Sequence, residues 1–178
     1  MDWIRNRFPS RRDGIAVLAV AVFLCFSWTL IGFFNKLSSF ILYFTPGEIA
    51  NIFAFMMAFA LLESLAVAGL LVLLSVILPS SWLKEGFAFK GFVILLVATG
   101  TALLFQRALK DFFPSPGTLL TYSLIPLLVI AFLVWFLHSR PRLQRLLLTV
   151  QDRISIMLFI YIPIGVIGLL VVMARDLL

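Results

Sequence analysis

Five runs of apolar residues, Gly14–Phe34, Ile49–Leu78, Phe87–Phe105, Thr118–Leu137 and Ile154–Ala174, carry almost the whole chain, and polar residues collect in the short stretches between them. A helix needs about 20 apolar residues, each rising 1.5 Å, to cross the ~30 Å hydrocarbon core of a bilayer. Every run reaches that length. With their capping residues included, they predict helices over about 14–34, 46–78, 87–107, 117–138 and 154–174. The expectation is an all-α, polytopic integral membrane protein with five transmembrane helices in a single domain, 1–178.

Punctuation between the runs refines the picture. Thr45-Pro46-Gly47-Glu48 reads as a capping box, with a hydroxyl cap, proline at the first helical position and glutamate at the third. A helix from Pro46 to Leu78 is about 50 Å long, so it must tilt, kink near Gly69 or project beyond the bilayer. Ser115-Pro116-Gly117 opens the fourth helix in a similar way. Phe34-Asn35-Lys36-Leu37 and Phe105-Gln106-Arg107-Ala108 read as matching helix ends. Together these matches suggest two parallel helical hairpins followed by a fifth helix, an arrangement found in transporters. The segment from Leu37 to Phe44 is too short to cross and reads as an interfacial turn or a shallow re-entrant piece. Over about 141–153, Leu143, Leu146, Leu147, Val150 and Ile154 share one helical face. Arg142, Arg145, Thr149, Asp152 and Arg153 lie opposite, which predicts an amphipathic helix on the membrane surface.

Composition agrees with lipid as the solvent. Hydrophobic residues are 63% of the chain and charged residues 12%, against roughly 45–50% and about 25% in soluble domains. The net charge of +6 is not a nucleic-acid signal, because the basic residues sit between the apolar runs, where they act as orientation signals and lipid contacts. If the N-terminus is inside, Arg5, Arg7, Arg11, Arg12, Lys84, Lys90, Arg140, Arg142, Arg145 and Arg153 face the cytoplasm. Lys36, Arg107, Lys110 and Arg175 are then outside, a division of 10 to 4 that accounts for all 14. The positive-inside rule therefore favours an N-in, C-out topology. Trp3, Trp82 and Trp135 then fall at the inner boundary, as an aromatic belt requires. The first helix reads as an uncleaved targeting signal of a bacterial inner (plasma) membrane protein. Arg142, Arg145 and Arg153 are expected to meet anionic lipid of the inner leaflet.

Candidate chemistry is sparse. Glu63 is the one acidic residue deep inside a run, where a charged carboxylate costs ~2.5–3.5 kcal/mol on insertion scales. An antiparallel third helix brings Thr99, Thr101 and Gln106 to comparable depth, with Arg107 near its outer end. A Glu63–Arg107 or Glu63–Thr101 contact is the specific expectation. Such a site serves either as a structural or subunit contact or as a proton or ion site. A second group, Asn35, Lys36, Gln106, Arg107 and Lys110, is expected at the outer face. It is suited to an anionic lipid headgroup, although snorkelling alone also places basic residues there. The small-residue rows Ala60, Ser64, Ala68 and Gly165, Gly168 read as helix-packing surfaces. With one cysteine, Cys25, and one histidine, His138, a Cys/His metal site or nucleophilic dyad is not expected, and no catalytic motif or cofactor fingerprint is present. The functional expectation is a non-enzymatic subunit or accessory factor of a membrane assembly, in contact with lipids and with other subunits or a second copy. The alternative is a transporter or lipid-handling protein built on Glu63 and the outer basic cluster.

Overall fold

The computed structural model describes the backbone of residues 8–78, 86–108, 116–138 and 141–176, and the side chains of these except 107, 108, 116–123, 137, 138, 141 and 176. Six α-helices account for most of it: α1 (Arg11–Tyr43), α2 (Pro46–Ile77), α3 (Phe87–Ala108), α4 (Pro116–His138), α5 (Pro141–Ile154) and α6 (Leu158–Asp176). One 3-10 turn, Ser155–Met157, joins α5 to α6, and its flanking residues Ile154 and Leu158 keep helical dihedrals. The described residues therefore form five helical rods, with no strand among them.

Local chemistry sets the helix ends. Ser10 caps α1, its hydroxyl accepting a hydrogen bond from the Asp13 amide at 3.1 Å. Asp13 itself lies in the first turn, where negative charge favours the helix dipole. The capping box at Thr45 is formed: the Glu48 amide donates to Thr45 Oγ1, and the Thr45 amide donates to Glu48 Oε2 at 2.8 Å. Pro46 pushes Thr45 into the extended region, so α1 must stop before it. Only Phe44 and Thr45 separate α1 from α2.

This tight reversal overturns one expectation. The first helix does not end at Phe34-Asn35-Lys36-Leu37, and Leu37 to Phe44 is no separate interfacial piece; α1 runs unbroken to Tyr43. Between Asn35 and Phe44 there is no glycine or proline, and asparagine, lysine and serine cost only a few tenths of a kcal/mol each in a helix. Ring contacts hold the extension: Phe33 to Phe40 at 5.9 Å, Phe40 to Phe44 at 6.0 Å, and Phe33 edge-on to Phe53 of α2 at 5.1 Å. Phe34–Leu37 thus lies within α1, and the corresponding Phe105–Ala108 lies in the last described turn of α3, residues 109–115 being outside the described residues.

α1 and α2, with 33 and 32 residues, are each about 50 Å long at 1.5 Å per residue. They pack together as an antiparallel hairpin, and α6 packs against α2 nearly as extensively. One apolar cluster, nearer the Ser10 end of α1, joins Val17, Val20 and Ala21 to Ala68, Leu71, Phe87, Phe92 and Leu95. Leu147 and Ile154 of α5 pack against it. The other, nearer the Phe44 turn, gathers Val22, Phe26, Met57, Ala60 and Leu61 against Leu158, Tyr161 and Ile162. Phe26 and Tyr161 stack with centroids 5.1 Å apart. α4 packs chiefly on α3 and α5, and most of its described side chains are exposed.

Four helical stretches are long and apolar enough to cross a membrane by length and composition: Arg11–Tyr43, Pro46–Ile77, Phe87–Gln106 and Arg142–Arg175. The last includes the amphipathic α5, the joining turn and α6. The fourth expected span corresponds to α4, a 23-residue helix whose described apolar stretch, Leu124–Phe136, is shorter. Exposed leucine, isoleucine and phenylalanine side chains are distributed over all of these helices, as expected where the surrounding medium is itself apolar.

Candidate functional site

Glu63 lies near the middle of α2, about 26 Å from Pro46 and about 21 Å from Ile77 along the helix. Its side chain is exposed. It sits just off the stripe of buried residues, Met57, Ala60, Leu61, Ser64, Ala68 and Leu71, that faces the rest of the bundle. Among the described residues, no hydrogen bond or ion pair joins it to another side chain. The hydroxyls near it on α2 turn elsewhere: buried Ser64 donates to the Leu61 carbonyl at 2.8 Å.

Two cavities meet at this carboxylate. The first, about 540 Å³, is a groove along the exposed side of α2, with Phe59, Asn51 and Glu48 on one helix and Thr29 and Arg175 brought in from α1 and α6. The second, about 250 Å³, lies between α1, α2 and α3 and is lined by Cys25, Trp28, Thr99 and Ala102 besides Glu63. At the far end of the groove Arg175 attracts Glu48, whose Oε2 also accepts from Thr45 Oγ1 at 2.9 Å.

Of the residues expected around Glu63, Thr99 shares its second cavity. The Thr101 hydroxyl donates to the Val97 carbonyl one turn back, at 2.7 Å, and not to Glu63. That local bond satisfies a hydroxyl inside an apolar helix without calling on α2. The Arg107 side chain lies outside the described residues, so the Glu63–Arg107 pair does too. In the expected outer cluster, Asn35, Lys36 and Gln106 are exposed and form no hydrogen bond or ion pair with another described residue; the Arg107 side chain and Lys110 again lie outside the described residues. The extension of α1 places Asn35 and Lys36 two turns before the helix end, not at its tip. Arg142, Arg145 and Arg153 are exposed on α5.

The glycine row acts within the chain. A Cβ on Gly168 would lie 2.6 Å from the Ala54 carbonyl oxygen, and one on Gly165 would lie 2.9 Å from Leu61 Cβ. α6 thus rests almost on the backbone of α2. Ala60, Ser64 and Ala68 are buried in the same bundle.

Two features escaped the sequence reading. Glu48, Asn51, Phe55, Phe59 and Glu63 recur every three or four residues, so the groove's acidic ends lie on one side of α2; that period was legible. Gln151 was not. It is 1% exposed, and neither its Nε2 nor its Oε1 has a hydrogen-bond partner, a state that costs roughly 1–3 kcal/mol for a buried polar group. Ser64 and Ser75, the other buried polar side chains described, each donate to a carbonyl three residues back.

Among the described residues, no three His, Cys, Asp or Glu side chains are grouped so as to hold a metal ion. Comparison with family models, with curated proteins and with solved structures finds no match to this chain.

Proposed function

We propose that the protein is an integral membrane subunit that works by contact, as an accessory component of a larger membrane assembly, and that the groove centred on Glu63 receives its partner. In this reading all five rods cross the bacterial inner membrane with the N-terminus inside and the C-terminus outside. The observation that carries it is a carboxylate at mid-helix, exposed and without a hydrogen bond or ion pair among the described residues. Hydrocarbon cannot solvate such a group. On this reading the donor comes from a neighbouring transmembrane helix of the partner, presenting a hydroxyl, amide or basic side chain. The internal use of the glycine row leaves the outer side of α2 as the surface for that contact.

The test is complex integrity in mild detergent, read by native mass spectrometry. Glu63→Leu removes the acceptor and should release the partner. Glu63→Gln keeps a hydrogen-bonding group and should retain it, since glutamine still offers a carbonyl acceptor and adds amide donors. A wild-type protein that purifies alone and as a monomer refutes the subunit reading.

A second reading is favoured by the meeting of two cavities at Glu63. A transporter or lipid-handling protein would use the carboxylate as a proton or ion site reached from both sides, with Asn35, Lys36, Gln106, Arg107 and Lys110 meeting anionic headgroups. On this reading Glu63→Gln abolishes proton-coupled flux in proteoliposomes while leaving the fold intact.

A further inference from the structure

Away from Glu63, at the Ser10 end of α1, a cavity of about 640 Å³ opens between the first turns of α1 and the amphipathic α5. Its polar lining is Arg12, Asp13, Gln151, Asp152 and Ser155, and Ile15, Ala88 and Leu148 supply an apolar side. Gln151 lines this space while nearly fully buried, with a donor, Nε2, and an acceptor, Oε1, both unpaired. Ser155 already donates, to the Gln151 carbonyl at 3.1 Å, and has only acceptor capacity left. Among the described residues, one arginine and two aspartates line the space, so both signs of charge face a ligand. A ligand that offers anionic oxygens and N–H donors together matches both signs of charge and supplies what both halves of the Gln151 amide lack once that side chain turns into the cavity.

We propose that this pocket holds a zwitterionic phospholipid headgroup bearing a primary ammonium. The phosphate faces Arg12 and Gln151 Nε2, the ammonium faces Asp13, Asp152 and Gln151 Oε1, and the acyl chains run over Ile15 and Leu148. A primary ammonium donates hydrogen bonds to carboxylates, which a trimethylammonium cannot do. The apolar side of the cavity and the position of α5, whose exposed Leu143, Leu146 and Val150 suit the membrane interface, favour a lipid over a soluble zwitterion. The site is separate from the Glu63 groove and does not rest on the subunit reading.

The test uses the full-length protein in bilayer nanodiscs containing equal amounts of phosphatidylethanolamine, phosphatidylcholine and phosphatidylglycerol, released into the gas phase for native mass spectrometry. Wild type should retain phosphatidylethanolamine over each of the others by about tenfold, the ratio one charge-assisted hydrogen bond gives. Asp152→Asn, at an exposed position, and Gln151→Met, which keeps the volume, should each bring that ratio close to one. In detergent, added phosphatidylethanolamine should raise the Tm of wild type but not of Gln151→Met, and Gln151→Met without lipid should be at least as stable as wild type without lipid. Equal retention of the three lipids by wild type, or unchanged selectivity in both variants, overturns the proposal. So does an equal Tm rise with soluble phosphoethanolamine, which would assign the pocket to a soluble ligand.

Discussion

Gly168 sets how near α6 comes to α2. A single added carbon would meet the Ala54 carbonyl oxygen at 2.6 Å and the Ala58 amide nitrogen at 3.2 Å, and backbone atoms cannot swing aside as a side-chain tip can. Gly168→Val must therefore push the helices apart, at a cost of about 1–3 kcal/mol typical of overpacking. The thermal midpoint in detergent should fall accordingly. A neighbouring substitution with no such obstacle, Gly69→Ala, should leave it unchanged or raise it slightly, since alanine is the better helix former. At this scale the sequence was partly legible. Gly165 and Gly168 show as small residues one turn apart, and the close packing follows. Glu63 shows because an acid inside an apolar run is rare. Gln151 stayed hidden because a glutamine in an amphipathic segment looks like a surface residue. The packing of α5 on α1 and α3 turns that position inward.

At the scale of elements, the ends of helices were easier to place where proline fixes the backbone than where polar residues alone suggested a stop. Thr45-Pro46-Gly47-Glu48 forms the box its spelling implies, with both reciprocal hydrogen bonds present. Asn35-Lys36 did not end α1, since amide and amine side chains can leave a helix surface without disturbing its backbone. The α1–α2 reversal has only Phe44 and Thr45 to make it, so the cap bears directly on the hairpin. Thr45→Ala removes the acceptor for the Glu48 amide, a loss of about 1 kcal/mol. Hydrogen exchange at the first amides of α2 should accelerate about fivefold for that loss, with the middle of the helix unaffected. Uniform acceleration along α2 would mean that the cap stabilises the whole hairpin and not its end. α5 illustrates the limit of a two-sided reading. Its residues were expected on two faces, one apolar and one charged, whereas the helix has three environments: Leu147, Gln151 and Ile154 toward the bundle, Leu143, Leu146 and Val150 exposed, and Arg142, Arg145 and Arg153 on the charged side.

For the whole molecule, the arrangement of rods and the distribution of charge make a joint statement about orientation. Arg11 and Arg12 at the start of α1, and Arg142, Arg145 and Arg153 on α5, belong to the same end of the bundle, because α5 packs on α1 and α3 near Val17 and Phe87. Arg175 belongs to the opposite end, beside Glu48 and the Phe44 turn. The basic residues thus separate spatially as well as along the sequence, which is what the positive-inside rule acts on. An N-in, C-out arrangement is the expected outcome. A phosphatase reporter fused after Leu178 should then be active in the periplasm, and a fluorescent reporter that matures only in the cytoplasm should stay dark there. Replacing Arg142, Arg145 and Arg153 together with glutamine removes three of the ten positive charges on the proposed inner side, while Arg5, Arg7, Arg11 and Arg12 still hold the first helix. The orientation should persist, because the first helix usually dominates. If the triple variant instead yields a mixed population of fusions, α5 is an anchor of topology in its own right. A cytosolic wild-type C-terminus would reverse the sidedness assigned to every polar site described above. It would leave the bundle itself untouched, since the packing of α1, α2 and α6 does not depend on which side of a membrane their ends occupy.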